Sequence, residues 1–200
     1  MAINGVIGTG AANVTAPTRV AAVSYSMTGN NRALAERIAK VFDAEHITIT
    51  EPKRRTMGKI VLDRLFNRTP KVQPSPEILG DYDLILFIAP VWLGQVATPL
   101  RAYLNHLRTS PRRYAFISIS GGADGPNPEL GGELLKRVGI EPVALLDLHI
   151  ADLLPPDPKP TRQMTMDYRL GGGDAEKLTR AVVKAMTERV PGLEAAAQRA

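Results

Sequence analysis

Cysteine is absent from the 200 residues. Disulfide scaffolds, thiolate zinc sites, iron–sulfur clusters and a cysteine nucleophile are thereby excluded together, and the composition suits a reducing cytoplasm. Long apolar runs are also missing: no stretch reaches the roughly 18 apolar residues that a membrane span needs. The leading MAINGVIGTGAANVTAPT has neither a basic start nor a sustained apolar segment, so it does not read as a secretory signal. Aromatics make up only 5% of the chain, with a single tryptophan, Trp92. The three histidines, His46, His106 and His149, do not cluster in sequence and each falls in or at the end of a regular element. They read as structural, and neither a catalytic side chain nor a metal site is expected.

What is present points to one soluble domain. A 44% hydrophobic, 22% charged composition supplies a core of ordinary size. The expected organisation is a small, polar extension over 1–18, one domain over 19–190 and a tail over 191–200. The net charge of +5 is modest for this length, and no nucleic-acid partner is expected. Much of the positive charge gathers in Lys53, Arg54, Arg55, Lys59, Arg64, Arg68 and Lys71, either a solvated helix face with its loops or a docking patch for an acidic partner.

From Arg19 onward, short β-rich runs alternate with segments of helical period, the pattern of a parallel sheet wrapped by helices. Strands are predicted over 20–25, 46–50, 82–90, 114–119 and 143–150. Helices are predicted over 31–42, 58–66, 98–107, 130–138 and 175–190. Thr98 is the predicted N-cap of its helix with Pro99 at the first position, and Gly139 closes the helix before it. YDLILFIAP, residues 82–90, is almost continuously apolar and is assigned to the middle of the sheet. The Pro- and Gly-rich stretch 154–173 is a long connection, either a lid or a linker, with Tyr168 as a residue that approaches a ligand or anchors its own loop.

The stretch SMTGNN falls where the first strand ends and its helix begins. Backbone N–H groups and the positive end of the helix dipole face outward there, which favours an anion. Ser26, Thr28, Asn30 and Asn31 add side-chain donors beside Met27, and Gly29 permits a tight bend or close backbone approach. The same residue types also serve simply to cap the helix. No GKS or GKT ending follows, so the loop is no Walker A motif and ATP with magnesium is not expected. GVIGTG, residues 5–10, has the wrong glycine spacing and no preceding strand for a dinucleotide fingerprint.

Two further strand ends carry ligand-type loops. APVWLGQVATP places Pro90, Val91, Trp92, Leu93 and Gly94 just past the third strand, an aromatic turn suited to a planar ring. SGGADGPNP places Ser120, Gly121 and Gly122 after the fourth. In open α/β sheets ligands bind at the carboxyl ends of the strands, where strand order reverses. The three loops together describe a pocket for a flat ring with a phosphate tail.

Ser26, Thr28, Gly29 and Asn30 match a phosphate loop reading Ser or Thr, any residue, Thr, Gly, Asn, and Asn31 stands where a hydroxyl residue is usual. With YDLILFIAPVWLGQVATPLRAYL, this resembles the flavodoxin-like family over roughly residues 19–150 and the closing helix. The resemblance implies a three-layer sandwich around a five-stranded parallel sheet in the order 2-1-3-4-5, and FMN as cofactor. It implies that 26–31 hold the phosphate while the loops from Trp92 to Gln95 and from Ser120 to Gly122 embrace the isoalloxazine. Three functions follow as expectations: an NAD(P)H-dependent oxidoreductase, using NADH or NADPH and passing electrons to a quinone, flavin or similar acceptor; an electron carrier between protein partners; or a binding module without flavin. Carriers of the family are typically acidic and this chain is basic, which favours the first. A cytoplasmic location is expected, and family enzymes are frequently homodimers.

Overall fold

The computed structural model describes residues 19–52 and 69–193. The extension 1–18, the predicted helix 58–66 and every basic residue of the 53–71 stretch except Lys71 lie outside the described residues.

The first strand, β1 (Val20–Ser24), is fully buried and leads through a short loop into α1 (Asn30–Val41). The chain returns through β2 (Glu45–Thr48), crosses over and enters β3 (Leu84–Ile88). Past β3 a two-stranded antiparallel hairpin, β4 (Val91–Trp92) and β5 (Gln95–Val96), precedes α2 (Arg101–Thr109). The remaining elements are β6 (Arg113–Ser120), α3 (Leu130–Val138), β7 (Ala144–His149), the one-and-a-half-turn α4 (Arg162–Asp167) and α5 (Gly172–Thr187).

The five long strands form one parallel sheet in the order β2-β1-β3-β6-β7. Counted among the five alone this is the predicted 2-1-3-4-5. Every residue of β3 is buried because helices cover both faces, which is why LILFI carries no polar alternation. On one face Phe87, Phe116 and Tyr114 meet Tyr103, Leu104 and Leu107 of α2 and Leu130, Leu134 and Val138 of α3. On the other, Leu86, Ile117 and Ala22 meet Leu34 and Ile38 of α1 and Leu178, Val182 and Met186 of α5. These three layers remove the sheet's apolar surface from water at about 25 cal/mol per Å2.

Strand β1 pairs with β2 on one side and β3 on the other. The chain therefore reverses its direction of travel across the sheet at β1, and a crevice opens at the carboxyl ends of β1 and β3.

Several predicted details are corrected. Helix α2 begins at Arg101 behind a 3-10 turn, Thr98–Leu100, so Thr98 is not its N-cap, and the Thr98 hydroxyl is buried without a hydrogen-bond partner. The hairpin β4–β5 was not anticipated as strands, since two residues per strand leave no periodicity to read. The stretch 154–173 is not one loop: Thr161 accepts the Met164 N–H and so caps α4 within it. No helix among the described residues is long and apolar enough to cross a membrane.

Candidate functional site

Four segments meet at the carboxyl edge of the sheet. They are the β1–α1 loop (25–29), the hairpin loop (89–97), the β6–α3 loop (120–129) and a strap over 150–171 that crosses from β7 to α5.

In the β1–α1 loop, Gly29 is the N-cap of α1 with φ of 95°, a conformation costly for any residue with a Cβ. No side chain caps the helix, and its first turn contains no acidic residue. The capping alternative for this stretch is thus not realised at the N-cap itself. Position alone leaves the first N–H groups of an α-helix without intrahelical acceptors. Ser26 shapes the bend: its Oγ accepts the Gly29 N–H at 2.9 Å. A Cβ built on Gly29 meets nothing within 4 Å, so the loop faces open space at that point. This is the geometry of a cradle for an anion, with the dipole's positive end behind it. Met27 is exposed, and Thr28 is half-buried beside the glycine.

Asn30 and Asn31 are placed differently from expectation. Both are 3% exposed, and both amides are engaged by distant backbone. Asn31 Nδ2 donates to the Ile119 carbonyl at 2.8 Å while its Oδ1 accepts the Ile119 N–H at 2.9 Å. Asn30 Nδ2 donates to the Tyr168 carbonyl at 3.1 Å, and its Oδ1 accepts the Leu170 N–H at 3.0 Å. At α1's entry both carboxamides are therefore occupied within the protein.

The hairpin loop brings Trp92 against the first loop. Its indole meets the Tyr25 ring edge-on, with centroids 5.7 Å apart and planes at 82°. Leu93 and Gly94 form the turn with φ of 52° and 76°. Positive φ at both central residues matches a hairpin's twist, but it is strained for leucine. Leu93 is nevertheless 60% exposed, an apolar side chain held outward at the mouth of the crevice. Behind the turn, Glu133 of α3 accepts the Val96 N–H at 2.8 Å and binds Arg137 at 2.8 Å. Gln95 accepts from Nη2 of Arg101 at 3.0 Å, and that arginine is only 1% exposed. Pro90 and Val91 are buried and form the hairpin's base, where the Ala97 N–H reaches the Pro90 carbonyl.

The β6–α3 loop begins with Ser120, whose Oγ is buried with no hydrogen-bond partner, a polar atom at the end of a strand that lacks an acceptor or donor of its own. Gly121 and Gly122 were expected to bring amides close to a ligand, and their tight approach is to protein. A Cβ on Gly121 would sit 2.9 Å from Thr165 Oγ1, and one on Gly122, where φ is 72°, would sit 2.3 Å from His149 Cβ. The rest of the loop is also tethered. Arg162 binds Asp124 through two nitrogens at 2.9 to 3.2 Å, and Asp147 accepts from both the backbone and side-chain nitrogens of Asn127. His149 bridges Asp147, at 3.0 Å, and Asp152, at 3.7 Å. Two concavities flank this loop. One of about 300 Å3 lies between Leu93–Gln95 and Pro126–Glu129, and one of about 460 Å3 lies between Gly122 and the strap's Leu154, Pro156 and Pro160.

Tyr168 anchors its own segment: its hydroxyl donates to Asp174, and burial together with that carboxylate pushes the phenol up to about 12. At the far side of β1, Ser24 Oγ and His46 Nε2 lie 2.9 Å apart, and burial holds the imidazole below its usual pKa. Among the described residues no group of His, Asp and Glu is arranged to hold a metal ion. Sequence reading missed Tyr25, Glu133, Thr165 and the Asp147–His149 pair. Only Glu133 carried a local signal, its four-residue spacing from Arg137.

No protein-family model matches the chain, and no curated protein matches it significantly. Solved structures do resemble it. A Lactobacillus acidophilus NCFM flavoprotein in complex with FMN superposes with a TM-score of 0.53 at 21% identity, covering 64% of this chain and 92% of that one. The apo form of the flavoprotein from that organism gives 0.51 at 21% identity, over 67% and 94%. A Bacteroides eggerthii DSM 20697 protein assigned as a flavoprotein gives 0.59 at 14% identity, over 83% and 96%. Strand order, layering and these superpositions agree that the chain has the flavodoxin-like fold.

Proposed function

We propose that the chain is an FMN-binding flavoprotein of electron transfer, and that it acts as an NAD(P)H-dependent oxidoreductase delivering electrons to a quinone, a flavin or a similar acceptor. The observation that carries the reading is the β1–α1 cradle: a glycine-capped helix start with no acid in its first turn, facing open space at the switch point of the sheet. The likeness to a structure that holds FMN supports the same cofactor, as does the buried, unpaired Ser120 hydroxyl on the opposite wall.

The residues fit the group. The N–H groups at the start of α1, with the hydroxyls of Ser26 and Thr28, would hold the phosphate, and Gly29 leaves room for it. Trp92, kept upright by Tyr25, and the Leu93–Gly94 turn would line the ring on one side, and the loop opening at Ser120 would line it on the other. Flavin supplies the hydride and single-electron chemistry when bound, so the protein's part is to position it and to set its electrostatic surroundings. The Arg101 guanidinium behind Gln95 fixes that side chain at the hairpin turn. The concavities flanking the β6–α3 loop offer space for a small acceptor, and the net charge of +5 is unlike an acidic carrier, which together favour the enzyme over the carrier reading.

Purified protein mixed with FMN and desalted is expected to emerge yellow, and to oxidise NADH or NADPH with a quinone in steady state. A coloured protein inert toward both nicotinamides is a carrier, and a colourless one sinks the reading.

A further inference from the structure

The two asparagines at the start of α1 hold together segments that are remote in sequence. Strand β6 runs to Ser120, but its pairing with β3 ends at Ile88↔Ile117, after which the Ala89 N–H still reaches the Ile117 carbonyl. In a parallel ladder alternate residues face the same neighbour, so Ile119 presents its N–H and carbonyl to the side that β3 has vacated. Asn31 fills that gap. A carboxamide has one acceptor and a donor in the arrangement of a peptide group, and both are used on Ile119, at 2.9 and 2.8 Å. The residue so fixed immediately precedes Ser120.

Asn30 does the same for the strap. It binds the Tyr168 carbonyl at 3.1 Å and the Leu170 N–H at 3.0 Å, across 138 and 140 residues of chain. Each carboxamide is buried, so removing it strands backbone polar groups that water does not reach easily. The strap in turn packs Thr165 against Gly121, and Arg162 holds Asp124.

We infer that Asn30 and Asn31 are positioning residues: their side chains fasten the strap and the end of β6 to the helix start that forms the anion cradle, and it is their backbone N–H groups, not their carboxamides, that face the phosphate. The inference rests on the FMN reading above and assigns the division of labour within that site. Thr28 serves the phosphate, whereas the asparagines set where the β6–α3 loop and the strap stand relative to it.

The test compares Asn30→Ala, Asn31→Ala and Thr28→Ala by three measurements: FMN affinity, the phosphorus NMR resonance of bound FMN, and amide hydrogen exchange in the flavin-free chain. Asn31→Asp, which keeps the acceptor and the size, replaces Asn31→Ala if the latter does not fold. Both asparagine variants are expected to bind FMN about tenfold more weakly, the effect of one or two neutral hydrogen bonds. Their phosphorus resonance should stay at the wild-type position. Exchange should accelerate at Leu170 in the Asn30 variant and at Ile119 in the Asn31 variant. Thr28→Ala should move the phosphorus resonance and leave both amides protected. A phosphorus shift in the asparagine variants with unaltered exchange overturns the inference, as does unaltered FMN affinity. A wild-type chain that binds no FMN ends the functional reading and the positioning role together, and the exchange rates then show whether the two clasps exist.

Discussion

The β1–α1 loop and the β6–α3 loop both turn on glycine, for opposite reasons. At Gly29 the backbone is left-handed and the direction of a Cβ is empty. At Gly122 the backbone is left-handed too, but the Cβ direction is filled by the His149 side chain, its Cβ foremost, and at the neighbouring Gly121 it is filled by Thr165. The first loop faces open space at its glycine, and the second is shaped by what lies behind it. A glycine-rich loop at the mouth of an α/β sheet is therefore not by itself a ligand contact, and the surroundings of each glycine decide its role.

Substitution separates the two cases. Gly122→Ala should be the most damaging, because a clash at 2.3 Å adds to the positive-φ penalty; a loss of about 3 kcal/mol in denaturant unfolding is expected. Adding His149→Gly, which removes the Cβ itself, should recover part of that loss, and full additivity of the two costs would break the proposed contact. Gly121→Ala should cost less, about 1 to 2 kcal/mol, because only the Thr165 hydroxyl must move, and Thr165→Ala should relieve it. Gly29→Ala should cost about 1 kcal/mol of stability from φ alone. Gly29→Val, whose side chain projects into the empty space, should reduce FMN affinity by more than its stability cost explains. Equal effects on folding and on FMN would erase the contrast between the loops.

A smaller effect sharpens the third wall. Trp92→Ala should shift the visible spectrum or the potential of bound flavin while leaving the phosphate signals alone. Identical spectra would remove the indole from the ring's neighbourhood and leave it as a prop for Tyr25.

The smallest effect concerns the strap. Tyr168 ionises near pH 12 in the fold and near 10 when unfolded, so its contribution to stability is complete below pH 10 and declines as pH rises from 10 toward 12. Tyr82 and Tyr103 are held to about 12 as well, chiefly by burial, and add to the same alkaline decline. Tyr168→Phe should make the decline shallower in urea unfolding, and an unchanged slope would place Tyr168 outside it.

Most of the architecture was legible because the relevant signals are local. Continuous apolar runs such as LILFI mark buried parallel strands, and Leu34, Ile38, Leu178, Val182 and Met186 repeat at helical spacing. The strand order itself came through the resemblance and not through periodicity. The signal for the candidate anion loop is equally local, a strand end followed by Ser26, Thr28 and Gly29. Asn30 and Asn31 show where local reading stops. Their residue type fits a phosphate donor, a cap or a backbone clasp, and the choice depends on Ile119 and Leu170, partners 88 and 140 residues away. Gly122 was read as part of a ring-embracing loop for the same reason, since nothing in SGGADG announces His149 behind it. The buried Arg101 and the short α4 were also invisible, one because charge usually marks a surface, the other because six residues barely register a period.

The most direct measurement is an amide NMR titration of the wild-type chain with FMN. Saturable one-to-one shifts concentrated at 26–32, 92–95 and 120–122 are expected, largest at Gly29 and the N–H groups that follow it. Spectra that do not change with FMN, or changes gathered away from the carboxyl edge of β1 and β3, would contradict the account.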